Sequence, residues 1–263
     1  MSSELITSTQ NAKVKFAYNL QKKARARRKE KQMVLEGTRL IQDATAQGKR
    51  PEYIFYEPGS VDYDLIAQLQ AINAPLYPVT EDVIQHISDT QNPQGIAGVY
   101  HFPKPQIPAQ PQRVLILDAI REPGNMGTIL RTAGASGVQV VILAPECVDP
   151  YNPKVVRSGM GAHFRIPILE APWNEIATYC EPLNVYFAMG DGAQAYTAVD
   201  WTQAWALVIG NEAHGISDAG RILTGTGLTI PMTGDTESLN AAIATAVIVF
   251  EAQRQRLALN PDA

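Results

Sequence analysis

The chain has 263 residues, 45% of them apolar and 18% charged, with a net charge of −4. That length suffices for two ordinary domains, and so low a charged fraction excludes long disorder. No apolar run reaches the roughly 18 residues of a membrane span, and residues 1–10 lack the basic-then-apolar layout of a secretory signal, so the expectation is a cytoplasmic protein without membrane contact. Cys147 and Cys180 are the only cysteines. Without CxxC spacing or a nearby His cluster they point to buried thiols, not to a disulfide framework or a metal site.

The average charge hides an asymmetry. Residues 1–50 carry 12 Lys or Arg against Glu4, Glu30, Glu36 and Asp43, a balance of +8, whereas the remaining 213 residues balance at −12. Nine cations fall between Lys13 and Lys31, with Glu30 the one acid among them. Val14, Phe16, Ala17, Leu20 and Ala24 recur at helical spacing, which predicts a helix with a basic outer face running into a basic turn. A solvated charged face is one reading. Mutual repulsion of so many like charges is better accounted for by a polyanion, with Lys22, Lys23, Arg25, Arg27 and Arg28 as RNA contacts.

From Met33 to Tyr100 the pattern alternates helices (residues 37–47, 62–72 and 81–87) with short strands (53–56, 76–79 and 96–100), a small α/β domain. Pro103, Pro105, Pro108 and Pro111 then make a stiff spacer, and the division is placed at residues 1–107 and 108–263. The second part opens with an apolar strand (114–118), a glycine-bearing loop, a helix to about Ser136 stopped by Gly137, and a strand (138–143), which is a parallel βαβ unit. Apolar strands at 185–189, 206–209 and 228–230 and a long helix at 239–257 follow. The expected architecture is a parallel sheet flanked by helices, with its site in the loops beyond the carboxyl ends of the strands.

Taken singly, those loops are uninformative. Glu122-Pro-Gly-Asn-Met-Gly127 is neither GxGxxG nor a Walker loop, and turn and capping chemistry would explain Asn125, residues 210–215, Ser238 and Asn240. Together, Pro123-Gly-Asn-Met-Gly-Thr-Ile-Leu-Arg-Thr-Ala133, Leu207-Val-Ile-Gly-Asn-Glu-Ala-His-Gly-Ile-Ser217 and Ile230-Pro-Met-Thr-Gly-Asp-Thr-Glu-Ser-Leu-Asn240 closely resemble the three ordered motifs of the SpoU (TrmH-like) branch of the SPOUT RNA methyltransferases. Asp149-Pro-Tyr-Asn-Pro-Lys-Val-Val-Arg-Ser158 extends the likeness. Residues 5–100 resemble, more loosely, the substrate-binding domain of that family. Glu122 stands where many members carry Asp, which preserves the charge.

The resemblance implies a ribose 2′-O-methyltransferase that uses S-adenosylmethionine (SAM), a C-terminal SPOUT domain tied in a deep trefoil knot, and a homodimer. It implies that Arg131 acts at the ribose and phosphate, with Asn125 orienting it or the substrate, Glu212 holding the second loop or contacting the partner subunit, and Ser238 and Asn240 completing the site. SAM would be cradled by the loops containing Gly210, Ile230 and Leu239, with Met189 and Gly190 alongside. Arg157 would grip RNA phosphate, no metal is required, and ribosomal RNA is favoured over tRNA. A non-catalytic RNA-binding protein of the same fold would have lost Arg131, Glu212, Ser238 or Asn240, and all four are present. A small-molecule enzyme on a Rossmann-like sheet would carry a dinucleotide fingerprint, which is missing, and would leave the basic segment unexplained.

Overall fold

The structure, a computed structural model, describes residues 4–104, 106–211, 214–234 and 238–259. In chain order the first elements are α1 (Ala12–Lys22), α2 (Ala24–Glu30), β1 (Gln32–Glu36), α3 (Thr38–Ala46), β2 (Tyr53–Tyr56), α4 (Tyr63–Ala71), β3 (Leu76–Pro78), α5 (Glu81–Ile87) and β4 (Ile96–His101). The chain continues with β5 (Arg113–Leu117), α6 (Pro123–Ala135), β6 (Val140–Leu143), α7 (Pro153–Gly159), β7 (Ile168–Glu170), α8 (Trp173–Cys180), β8 (Asn184–Ala188), β9 (Gln194–Ala195), β10 (Trp205–Ile209), β11 (Thr226–Thr229) and α9 (Ala241–Leu259).

Two compact units form. One comprises the residues through Pro103 together with Tyr151–Phe164; the other comprises Lys104–Pro150 and the residues from Arg165 on. The sequence division at 107/108 assigns residues 151–164 to the C-terminal part, whereas here they pack with the N-terminal one. Their apolar side chains explain the difference: Val156 is 2% exposed among Met33, Leu35 and Ile54, and the Tyr151 ring stacks on Phe102 at 3.5 Å.

In the first unit four strands lie in the order β1-β4-β2-β3, antiparallel except for β2 beside β3. Side chains alternate across a strand, and both faces are covered, so β1 is buried throughout. Val34, Phe55 and Val99 meet Val14, Ala17 and Leu20 of α1 and Val83, Ile84 and Ile87 of α5. Met33, Leu35, Ile54 and Ile96 meet Leu40 and Ile41 of α3, Leu65 and Leu69 of α4, and Val156 of α7. The basic segment forms two helices, not a helix and a turn, because Lys23 is extended (φ −127°) and the chain restarts as α2. Arg27, 3% exposed, turns inward and donates to the carbonyls of Leu20 (2.6 Å) and Gln21 (3.2 Å), occupying acceptors that the end of α1 leaves open.

In the second unit all seven strands are parallel, in the order β7-β6-β5-β10-β8-β11-β9. Strands covered on both faces read as continuous apolar runs, and Val114, Leu115, Ile116 and Leu117 of β5 are all 0% exposed. Trp173, Ile176 and Cys180 of α8 pack on Ile116, Ile142 and Phe187. The sequence pattern does not reveal β1, β7, β9, α7 or α8. The strands among these are short or, like β1, enclosed on both sides, and α7 and α8 span only seven and eight residues.

Desolvation pushes the Cys147 thiol up to about 12 and that of Cys180 up to about 11. The thiolate is the reactive form, so at pH 8 both stay protonated. Iodoacetamide is expected to label neither cysteine in the native protein at pH 8 and both after unfolding in guanidinium. Cys180 is buried as expected and Cys147 only half-buried, and rapid native labelling of either would contradict the raised thiol pKa.

Candidate functional site

The carboxyl ends of β8, β10 and β11 open onto a cleft of about 520 Å³. Ala188, Met189, Gly190 and Asp191 line it after β8, and Ile209, Gly210, Asn211, His214, Gly215 and Ile216 at and after β10. Leu228, Ile230 and Met232 follow from β11, and Ser238, Leu239, Ala241, Ala244 and Ile248 from the approach to and first turns of α9. Five residues expected around a cofactor, Met189, Gly190, Gly210, Ile230 and Leu239, therefore lie on one cleft, with Ser238 beside them.

Backbone proximity builds its walls. A Cβ on Gly192 would overlap the Leu228 backbone, and one on Gly210 would overlap the backbone of Gly215. Asn211 and Gly215 exchange N–H···O bonds of 2.9 Å, and the positive φ of Gly215 (+67°) allows so tight a return. Met189 N donates to Leu228 O at 2.8 Å, and Thr229 Oγ1 donates to Gly190 O at 3.1 Å. The loop after β5 holds the one after β10: Asn211 Nδ2 donates to Ala119 O (2.9 Å), and Ser217 N donates to Oδ2 of Asp118 (2.7 Å). Asp118 is 1% exposed, so its carboxylate depends on such donors in place of water.

The first motif starts α6. Glu122, not Asn125, is the N-cap, and its carboxylate accepts from Gly124 N, with Pro123 at the start of the helix. Asn125 sits within the first turn and reaches α9, accepting from Asn240 Nδ2 at 3.0 Å. Asn240 Oδ1 accepts from Ala242 N (2.9 Å) and Ile243 N (3.3 Å), so one amide caps α9 and ties it to α6. Arg131 lies about two turns into α6, exposed and outside the cleft lining, its side chain making no hydrogen bond or ion pair to the described residues. Glu212 lies outside the described residues.

In the first unit Lys22, Lys23, Arg25 and Arg28 are exposed on α1, α2 and their junction, with Lys22 Nζ 3.3 Å from Asp89 Oδ1. Two expected RNA contacts are placed differently. Arg27 is the buried cap already described. Arg157 Nη1 lies 3.0 Å from Asp89 Oδ2 and 3.8 Å from Glu36 Oε2, so its charge is already met by carboxylates. The sequence pattern does not single out Asp118, Asp191, Arg221 or His214. Asp191, Arg221 and His214 line the cleft; Asp191 is signalled only by its position just past an apolar strand and His214 by the second motif's loop, while Arg221 has no local signal. No group of three or more His, Cys, Asp or Glu among the described residues could hold a metal ion, and no helix there is long and apolar enough to cross a membrane.

The model of the SpoU rRNA methylase family matches residues 112–250, and that of the MRM3-like substrate binding domain matches residues 11–98. The chain belongs to the SpoU rRNA methylase family. It is 32% identical over 251 residues to the 23S rRNA (guanosine(2553)-2′-O)-methyltransferase RlmP of Bacillus subtilis, covering 93% of this chain and 97% of that one. The SpoU methyltransferase AviRb of Streptomyces viridochromogenes, solved in complex with the cofactor AdoMet (SAM), superposes with a TM-score of 0.86 at 28% identity, covering 94% and 99% of the two chains. An AdoMet-bound rRNA methyltransferase of Sinorhizobium meliloti gives 0.83 at 31%, covering 96% and 98%.

The dual bonding of Asn240 separates two effects. Asn240→Ala removes the cap and the tie together and should cost about 1 kcal/mol in denaturant unfolding. Asn240→Asp keeps an acceptor for the α9 amides but cannot donate to Asn125, and should stay within about 0.5 kcal/mol of wild type. Equal losses in the two variants would show that the tie, not the cap, carries the stability.

Proposed function

We propose that this chain transfers the methyl group of SAM to a ribose 2′-hydroxyl of ribosomal RNA. The observation that carries the reading is the convergence of Met189, Gly190, Gly210, Ile230 and Leu239 on one cleft at the carboxyl ends of parallel strands. Its volume falls in the range of roughly 300 to 1,000 Å³ usual for small-molecule sites. Leu228, Ile230 and Ile248 offer apolar contact for an adenine ring, and the glycine-bearing loops offer main-chain groups for the polar edges. The residues thus fit SAM, which brings a methyl group already activated by a sulfonium.

The protein's part is then alignment and charge. Holding two reactants in attack geometry contributes roughly 7 to 11 kcal/mol. Arg131, exposed beyond the cleft lining, grips the ribose and its phosphate and stabilises the oxyanion that develops as the hydroxyl attacks. It works as a clamp and not as a free base, because a guanidinium with a pKa above about 12 gives up its proton only at great cost. Asn125, fixed through Asn240 to the start of α9, aligns the first motif with the third, and Ser238 supplies a hydroxyl at the cleft edge.

Ribosomal RNA is preferred to tRNA because two relatives that match along nearly the whole chain, RlmP of Bacillus subtilis and the Sinorhizobium meliloti enzyme, are named for rRNA. Lys23, Arg25 and Arg28 present the positive charge that meets the RNA backbone, in the part that matches a substrate-binding domain. A homodimer belongs to this reading: residues 241–250 of α9 are apolar apart from Thr245, yet Ile243 and Phe250, seven residues apart on one face, are 52% and 47% exposed. The trefoil knot comes with the same resemblance, carried by the order of the three motifs.

Incubation with methyl-labelled SAM and separate unmodified rRNA and tRNA pools should label rRNA at a ribose. Label in tRNA alone would change the substrate, and label in neither, from protein that binds SAM, would end the catalytic reading. Arg131→Ala should lower transfer at least about a hundredfold with SAM affinity nearly unchanged; loss of SAM affinity would remove Arg131 from the clamp role. Replacing Lys23, Arg25 and Arg28 by Gln should weaken RNA binding and flatten its salt dependence, the slope falling by about one for every phosphate that is no longer neutralised. An unchanged slope would take this segment out of the interface.

A further inference from the structure

SAM carries one anionic group, the α-carboxylate of its methionyl end. The ionisable side chains among the described lining residues are Asp191, His214 and Arg221, and Arg221 alone of these bears a fixed positive charge. Its ion pair among the described residues is loose: Arg221 Nε lies 3.8 Å from Asp218 Oδ1, with the two side chains 63% and 107% exposed. An exposed pair at that distance contributes little, so the guanidinium remains available to a ligand.

Its placement is built from below. Arg221 is the middle residue of a short 3-10 turn, Gly220–Ile222. Gly220 N donates to both the backbone oxygen (3.0 Å) and the hydroxyl (3.1 Å) of Ser217, and Ser217 N donates in turn to the buried Asp118 carboxylate. A Cβ on residue 220 would meet Asp118 Oδ2 at 2.9 Å and the Trp173 ring at 3.0 Å, so the turn sits hard against the sheet end with no side chain between. A buried carboxylate thereby fixes the backbone from which the cleft's cation projects.

We propose that Arg221 recognises the methionyl carboxylate of SAM and is the residue by which the cleft distinguishes SAM from adenosyl thioethers that lack the amino acid. This rests on the SAM reading of the cleft. Arg offers a planar fork that matches a carboxylate in two parallel hydrogen bonds, which Lys cannot reproduce. Asp118 is a positioning residue for this contact, acting through Ser217 and Gly220.

Titration calorimetry of the full chain with SAM, S-adenosylhomocysteine and 5′-methylthioadenosine tests it. The last keeps adenine, ribose and sulfur but has neither carboxylate nor ammonium. Arg221→Ala should weaken SAM and S-adenosylhomocysteine on the order of tenfold and leave 5′-methylthioadenosine unchanged, with Arg221→Lys in between. Equal weakening of all three ligands would mean that Arg221 merely shapes the cleft, and no weakening of any would mean that it meets no carboxylate; either result overturns the assignment. A wild-type protein that binds none of the three fails the SAM reading itself, an outcome separate from a loss confined to the variants.

Discussion

Around the ends of β8, β10 and β11, three glycines stand where neighbouring atoms leave little or no room for a Cβ. Gly192 touches the Leu228 backbone, Gly210 touches that of Gly215, and Gly227 lies against Met189 Sδ. Three loops distant in sequence can share one cleft because these positions carry no Cβ. The same crowding decides what the cleft offers a ligand: main-chain N–H and C=O groups along its walls, and apolar side chains from Leu228, Ile230 and Ile248. Recognition of this kind leaves no row of charged or polar residues in the sequence, and the first loop accordingly matches no nucleotide fingerprint.

Polar ties then fix the loops that glycine allows to approach. They radiate from few atoms. Asp118 holds Ser217, and through it Gly220; Asn211 holds Ala119; Asn240 holds both the α9 amides and Asn125. Each bond is of ordinary strength, about 0.5 to 1.5 kcal/mol net, but a buried carboxylate or amide left without its partner costs more than the bond contributed. The site's polar skeleton is therefore sensitive to single substitutions at residues that need not touch a ligand, and Asp118 is the clearest of these.

The sequence made the apolar strands and the helices legible where the period was long enough: residues 114–117 announce a parallel strand, and the end of α6 follows from Gly137. Three ordered motifs pointed to the cleft residues. What stayed hidden depends on distant contacts. Arg27 looks like its neighbours in a basic run, yet it turns inward because the end of α1 leaves carbonyls that need a donor. Arg157 sits in a motif that suggests phosphate binding, and only the fold brings Asp89 and Glu36 beside it. Arg221 was invisible for the opposite reason, since nothing local sets an arginine in a surface turn apart from any other.

Residues 151–164 complete a core begun by residues before Pro103. Val156 is 2% exposed against β1, β2 and their helices, with Tyr151 and Phe164 packed beside it. A ribosome makes the chain from its amino end at about 5 to 20 residues per second, and domains generally fold as units as they emerge. The N-terminal unit cannot do so on its own schedule. Until residue 164 has left the exit tunnel, the sheet face formed by Met33, Leu35 and Ile54 lacks part of its cover, and by then β5, α6 and β6 have already been made. Synthesis of the first unit thus finishes inside that of the second, and the N-terminal half, cut at the proline-rich spacer, would lose part of its own interior.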